Sequence, residues 1–294
     1  MGPRYWPTWF LLACMRLCAL LPYSWLLSLG RALGGLLYIA LPERRRIAAV
    51  NLELCFPEKT PRERATLVRR CFQSIGIAVM ETAFTWWGAE KRFKKLYTIE
   101  GLKNLEQAVT AGRPVLLLSG HMSCTEIGGR LLAFHQPFQC MYKPAKNPLY
   151  EKIMLHRRSR FFHEMVPRKN SRQLLRNLRQ GIVTWYAPDQ NFGREDTVFA
   201  PFFGVPATTL TATARIVEFA GATVIPFFPY RLEGGKGYKL VLGKPLENFP
   251  AGDDLADATR VNLLIEAAVR LAPEQYLWVH KRFRIRPPGE EKLY

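Results

Sequence analysis

No C-x-x-C pair occurs anywhere in the chain, and no spacing of cysteine with histidine fits a zinc site. The six cysteines are Cys14, Cys18, Cys55, Cys71, Cys124 and Cys140. A chain of 294 residues can bury a sizeable core and needs no disulfide framework. The thiols therefore read as reduced, buried or lipid-facing residues of a cytoplasmic protein. There is also no internal repeat and no low-complexity linker, which leaves one large domain or two small ones. Acidic residues are scarce: 24 Asp+Glu against 42 Lys+Arg give a net charge of +18. That excess implies an anionic partner, whether nucleic acid, membrane headgroups or an acidic protein. Nucleic acid loses support because the chain has no RNP-like aromatic strand and no helix-turn-helix pattern. Basicity combined with 48% hydrophobic and 12% aromatic residues leans toward a membrane surface.

What is present is organised around Pro114–Glu126. The apolar run Val115–Leu118 is of strand type and ends in Ser119-Gly120, His121 follows, and an apolar-periodic helix starts near Ser123. This places His121 at the carboxyl end of a strand, the edge where open α/β sheets bind ligands. Glu126 comes five positions later. Residues five apart on one helix lie about 140° apart around it, so the two meet only if His121 precedes the helix and folds back over its first turn. In that case a carboxylate accepts from one ring nitrogen and fixes the tautomer, and the other nitrogen is free to take a proton from a hydroxyl. A plainer reading stays open. Ser123-x-x-Glu126 is also a capping box, and a histidine after a strand is often just a polar turn residue. Cys124 lies in the same stretch, which keeps a Cys–His nucleophile on the table beside the buried-thiol reading.

Toward the N-terminus, Thr8 to Leu29 is apolar apart from Arg16 and Pro22, and its length can cross a bilayer core. A central arginine costs about 2.5–3.5 kcal/mol on insertion, so a helix lying in the interface competes with a span. The charged region ahead is only Arg4, which argues against a cleaved signal peptide, and Leu11-Leu-Ala-Cys14 follows too short an apolar stretch for a lipoprotein box. Arg31 and Arg44-Arg45-Arg46 outnumber Arg4, which puts the bulk of the chain in the cytoplasm by the positive-inside rule. Gly30 to Ala40 reads as a second membrane-hugging helix closed by Pro42. These segments divide the chain into a membrane-associated part, 1–42, and a cytoplasmic domain, 43–294.

Thr60-Pro61-Arg62-Glu63 starts a helix with a capping box and Pro at its first position, and that helix runs to about Trp87. From Leu102 onward helices and strands alternate. Helices are expected over 102–111, 147–162, 171–180, 208–220 and 257–271, with Tyr276–His280 prolonging the last. Strands are expected over 138–142, 182–187, 224–228 and 238–242. The order predicts an α/β fold with a mixed, largely parallel sheet, helices on both faces, and N-terminal membrane-associated helices.

Further candidates lie at strand ends. Pro188-Asp189-Gln190 ends its strand as Gly120-His121 ends another, so both motifs open on one edge if the strands are neighbours. Asp189 then binds a substrate hydroxyl, steadies a basic residue, or merely starts a turn. Ala200–Thr209 reads as an aromatic, proline-fixed loop that feeds a helix start at Thr208-Thr209, able to hold an anion or oxyanion or simply to cap. Arg157, Arg158, Arg160 and Arg168 suit phosphate bidentately, or form a solvated basic face.

At this point several pieces, in order, resemble the bacterial late acyltransferases of lipid A biosynthesis, the lauroyl and myristoyl transferases. They are Asn51–Glu58, Gly120–Glu126, Tyr142–Pro148, Arg158-Ser159 with Arg168-Lys169, Trp185–Gln190, Phe199–Ala207 and Pro273–Phe283. They span nearly the whole chain. The resemblance implies a glycerolipid-acyltransferase-like fold and an inner-membrane enzyme facing the cytoplasm. It implies transfer from acyl–acyl carrier protein to a hydroxyl of a lipid A precursor, without metal or cofactor. Its partners would be the carrier protein, the precursor and membrane lipids, with no nucleic acid. His121 and Glu126 would take the catalytic dyad, and Arg158, Arg168, Asp189, Gln190, Lys143 and Asn147 would contact substrate. The chain departs from the pattern at Asn191-Phe192-Gly193 and at Asn170, where acidic residues are frequent in the family.

Two other readings compete. Acyl transfer to glycerol phosphate, a lysophospholipid, an aminolipid or another envelope glycolipid uses the same H-x-x-x-x-[DE] logic. Acyltransferases of the glycerol-phosphate and lysophospholipid kind usually carry an E-G-T-R-type loop, which is missing here. A non-catalytic basic membrane-binding module explains the charge but needs no ordered polar motifs at strand ends.

Overall fold

The computed structural model describes residues 2–191, 193 and 195–294; the Asn191-Phe192-Gly193 departure thus lies partly outside the described residues. Four helices come first: α1 (Trp6–Cys18), α2 (Tyr23–Ala40), α3 (Pro42–Cys55) and α4 (Pro61–Trp87). The Thr60 hydroxyl accepts from the Glu63 N–H at 3.3 Å and the Glu63 carboxylate accepts from the Thr60 N–H at 2.7 Å, so the capping box that starts α4 forms as expected. The single apolar segment expected over Thr8–Leu29 is instead two helices. Pro22 supplies no backbone donor, and the chain turns before α2 begins. Among the described residues no single helix is long and apolar enough to cross a membrane; α2 and α3 together have the length and composition but meet at a 96° bend.

The helices α2 and α4 cross backbone to backbone. A Cβ on Gly76 would lie 2.2 Å from the Gly30 carbonyl oxygen, and one on Gly34 would lie 2.3 Å from that of Phe72. Neither backbone atom can yield without the helices separating. Gly76→Val is therefore expected to destabilise the protein by about 3 kcal/mol, the upper range for overpacking. A Tm unchanged in thermal denaturation would show that the helices do not cross this closely.

The rest is an α/β unit. In chain order it comprises β1 (Tyr97–Glu100), α5 (Leu102–Thr110), β2 (Val115–Leu118), α6 (Thr125–Ala133), β3 (Gln139–Tyr142), α7 (Pro148–Arg158), β4 (Glu164–Pro167), α8 (Ser171–Arg179) and β5 (Thr184–Tyr186). It continues with β6 (Thr197–Phe202), β7 (Val205–Leu210), α9 (Ala212–Ala220), β8 (Thr223–Arg231), β9 (Tyr238–Leu242) and α10 (Asp254–Leu271). Seven strands form a sheet of order β1-β9-β8-β2-β5-β3-β4. Five of them are parallel, and β9 runs antiparallel to β8 and carries β1 with it. All four residues of β2 are fully buried, as a central parallel strand requires.

Two local expectations fail. Thr208 and Thr209 lie in β7, not at a helix start, because Phe203 (φ 52°) and Gly204 (φ 75°) make a tight turn that pairs β6 with β7 as a hairpin. Tyr276–His280 does not prolong α10. Tyr276 is extended and bridges to Met122, and the Leu277 N–H donates to the His121 carbonyl at 3.1 Å.

Candidate active site

The strands β2 and β5 are hydrogen-bonded parallel neighbours, with Leu118 opposite Tyr186. Gly120-His121 and Pro188-Asp189 therefore leave the sheet side by side at one carboxyl edge. The edge extends further: Lys143 follows β3 and Arg168 follows β4.

His121 is held on two sides. Its carbonyl and the N–H of Ser123 are clamped by Leu277 and Gln275 of the C-terminal segment. Its ring Nδ1 lies 2.5 Å from Asp189 Oδ1, and its backbone N–H donates to Asp189 Oδ2 at 2.8 Å. Asp189 is buried, whereas the imidazole keeps 31% of its side-chain surface exposed. Gly120 leaves room for Ile265: a Cβ there would sit 3.1 Å from Ile265 Cγ2, whereas its 3.4 Å distance from Asp189 Oδ2 would be an ordinary contact. The electrostatics follow from the pairing. Burial disfavours the charged imidazole, but the charge and hydrogen bond of Asp189 outweigh it and raise the ring above its ordinary 6.5. Burial alone would likewise raise Asp189, yet His121 draws it down to about 2. An ionised carboxylate on Nδ1 fixes the proton there and leaves Nε2 as the acceptor.

Glu126 does not accept from the imidazole. It sits in the first turn of α6, where Oε1 takes the Trp86 indole N–H at 2.7 Å and the Arg158 Nε–H at 3.0 Å. Its Oε2 takes Arg158 Nη2 at 2.6 Å. A permanently charged, planar guanidinium grips this carboxylate twice, which a single imidazole N–H cannot do. Nor does Glu126 cap the helix. The residue before α6 is Cys124, with no side-chain cap bond, and the Ser123 hydroxyl pairs with Ser74 Oγ at 2.7 Å. Cys124 is fully buried, its thiol lies 3.2 Å from the Pro229 carbonyl, and burial pushes its pKa up to about 12, so it is no nucleophile.

An apolar cleft of about 160 Å³ is lined by Glu126, Arg158 and Trp185 together with Phe138, Phe162 and Met165. Trp185 links it to the dyad, its ring edge-on to His121 at 6.2 Å between centroids. Gln190 lines the wall around His121 together with Asn51 and His280. Asn51 is a brace, its amide donating to the Trp278 and His280 carbonyls at 2.6 and 2.8 Å.

The other residues expected at the site divide. Arg158 is there through Glu126. Lys143 and Arg168 stand exposed on the same sheet edge without a side-chain hydrogen bond to any described residue. Asn147 is a helix cap, accepting from the N–H groups of Leu149 and Tyr150 and donating to Thr8 Oγ1 at 2.7 Å. Asp189 lies against a basic residue. What the sequence reading missed is that the basic residue is His121 and that Trp86 joins Glu126. The first was within reach, because both motifs terminate neighbouring strands.

A family model described as bacterial lipid A biosynthesis acyltransferase matches residues 1–285. The chain is 38% identical over 293 residues to the lipid A biosynthesis palmitoleoyltransferase of Escherichia coli, covering 99% of this chain and 95% of that protein. It is 35% identical to the lauroyltransferase of the same organism, covering 99% and 96%. It is 31% identical to the myristoyltransferase, covering 99% and 91%. With a whole-chain match of this kind around a histidine–carboxylate pair at a sheet edge, the chain belongs to the bacterial lipid A biosynthesis acyltransferase family.

Proposed function

We propose that the protein transfers a fatty acyl chain from acyl–acyl carrier protein to a hydroxyl of a lipid A precursor at the cytoplasmic face of the inner membrane. The observation that carries this reading is the His121–Asp189 pair, with Trp185 against the imidazole and also lining an apolar cleft that includes Glu126 and Arg158. A hydroxyl is a poor nucleophile until its proton leaves. His121 Nε2 takes that proton as the oxygen attacks the thioester carbonyl, and Asp189 stabilises the imidazolium that forms. The carbonyl oxygen becomes an oxyanion. Glu126 presents Arg158, whose Nη1 is spare after Nε and Nη2 have bound the carboxylate, as a donor to it. The carbon–sulfur bond then breaks, and the carrier thiolate leaves with the proton that His121 returns. The acyl chain lies in the cleft toward Phe138 and Phe162. Lys143 and Arg168, on the exposed edge, meet anionic groups of the substrates or the acidic carrier.

Membrane association is supported by the aromatic surface of α1. Trp6, Phe10 and Leu17 of α1 are each at least 65% exposed, as is Leu20 just beyond it, and Trp25 of α2 is 63% exposed. Such a face suits burial at a bilayer interface.

The test is mass spectrometry of lipid A from cells lacking the protein, complemented with wild type or His121→Ala. One secondary acyl chain is expected to disappear, and only wild type should restore it. Unchanged lipid A would reject the acceptor and turn the search to other envelope lipids. Full restoration by His121→Ala would reject the base.

A further inference from the structure

We propose that Arg16, Arg130, Arg157 and Arg160 form a subsite for a phosphomonoester carried by the acceptor lipid, next to the reacting groups. The inference rests on the acyl-transfer reading above. The four arginines line a cleft of about 370 Å³ that also includes Trp86, whose indole N–H binds Glu126 of the apolar cleft. That volume lies in the range of small-ligand sites. Trp86 and Trp87 form part of its walls, and Glu90 is its single carboxylate.

Three features make it more than a basic patch. First, the Nε atoms of Arg130 and Arg157 are buried and have no hydrogen-bond partner, a costly state that an anion's oxygens would relieve. None of the four arginines pairs with a carboxylate among the described residues. Secondly, the guanidinium groups are positioned in advance by aromatic faces. Arg130 Cζ lies 4.8 Å from the Phe93 ring centre and 4.9 Å from that of Phe161, and Arg157 Cζ lies 5.3 Å from that of Trp87. Thirdly, the cations oppose one another. Burial and the charge of Arg160 lower both Arg130 and Arg157, with Arg16 adding to the effect at Arg157. A dianion removes that repulsion, and its oxygens match several guanidinium forks at once.

The place in the fold indicates a lipid as the bearer. Arg130 follows Glu126 by one turn of α6, and Arg157 precedes Arg158 on α7, so the cleft and the reacting groups share two helices and the Trp86 wall. Arg16 belongs to α1, the helix with the exposed aromatic face, so a headgroup phosphate would enter the cleft while its chains stay in the membrane.

The test uses the full-length protein in detergent micelles, with Arg16→Gln/Arg160→Gln chosen because both side chains are exposed and the fold should persist. With acyl–acyl carrier protein as donor, KM for the phosphorylated glycolipid is expected to rise about tenfold or more, with kcat and the donor KM little changed. The same glycolipid stripped of phosphate should bind wild type and variant equally poorly. An unchanged acceptor KM overturns the subsite, and so does an equal penalty on both acceptors. A rise confined to the donor KM also overturns it and assigns the cleft to the phosphodiester of the carrier's arm. If wild type acylates neither glycolipid, the proposed function fails, and the subsite is judged by vesicle flotation instead. Wild type should prefer phosphatidylcholine vesicles doped with phosphatidic acid over those with the same fraction of phosphatidylglycerol, and the variant should lose that preference. Equal binding of both vesicle types by wild type rejects the subsite.

Discussion

Replacing Asp189 with asparagine is expected to lower kcat by about 10³–10⁴-fold while leaving KM for both substrates close to wild type, the effect of a wrong tautomer in a histidine-based active site. Asp189 accepts at Nδ1 and at the backbone N–H of His121, so the carboxylate sets both the ring's proton and the loop's position. An asparagine amide turned to donate would place the imidazole proton on Nε2, where the hydroxyl's proton has to go. The pH profile provides a second readout. Catalysis needs neutral His121, and its pKa is raised above 6.5, so kcat/KM should climb with pH through a limb lying above that value. In Asp189→Asn the raising influence is gone and burial remains, so the limb should move to lower pH even as the rate falls. His280 cannot be mistaken for the titrating group. Burial and the nearby His121 charge hold it below 6.5. A rate loss with an unmoved limb would mean that Asp189 only braces the loop. A near-normal rate would remove it from the mechanism.

This assignment differs from the one that spacing in the chain suggests, and the reason is instructive. Glu126 is close to His121 in sequence and on the right type of motif, so an i, i+5 pairing was the visible possibility. The competing interaction came from 32 residues away, where Arg158 offers two parallel donors. Side-chain partners of that kind leave no periodic mark. Parallel strand order does leave one: two apolar runs, each ending in a small-residue or proline turn and a polar group, predicted the shared edge on which His121 and Asp189 meet. The helix start at Thr60 with its capping box and the strand leading to His121 are legible for the same reason, because each depends on local chemistry. The β6–β7 hairpin was not. Its turn places Phe203, a residue seldom found at positive φ, where Asn or Gly would have signalled it. The break between α1 and α2 was masked by apolar composition on both sides of Pro22.

The largest stability effect is expected at Glu81→Ala, about 3–5 kcal/mol, the usual consequence of orphaning one partner of a buried ion pair. Glu81 lies on α4 with its side chain only 4% exposed, and Arg231, at the end of β8, is 8% exposed. The guanidinium binds both carboxylate oxygens, at 2.5 and 2.7 Å, and the Tyr238 hydroxyl donates to Oε1 at 2.6 Å. Without the carboxylate, Arg231 would be left charged in the interior with only Ser74 Oγ, at 2.8 Å, as a side-chain acceptor. The consequences reach the active site along short bonds. Ser74 pairs with Ser123, two residues beyond His121, and the Arg231 N–H donates to Gln275, whose carbonyl accepts from the Ser123 N–H. The network thus ties the helical N-terminal part to the sheet and to the clamp around His121. Denaturant unfolding of Glu81→Ala should show a midpoint lowered by that amount relative to wild type. Glu81→Ala combined with Arg231→Met should recover much of the loss, because the pair is then replaced by apolar volume and no charge is stranded. If the double variant is no more stable than Glu81→Ala, the loss does not come from an unpaired charge. The network would then act through packing of α4 against the sheet alone.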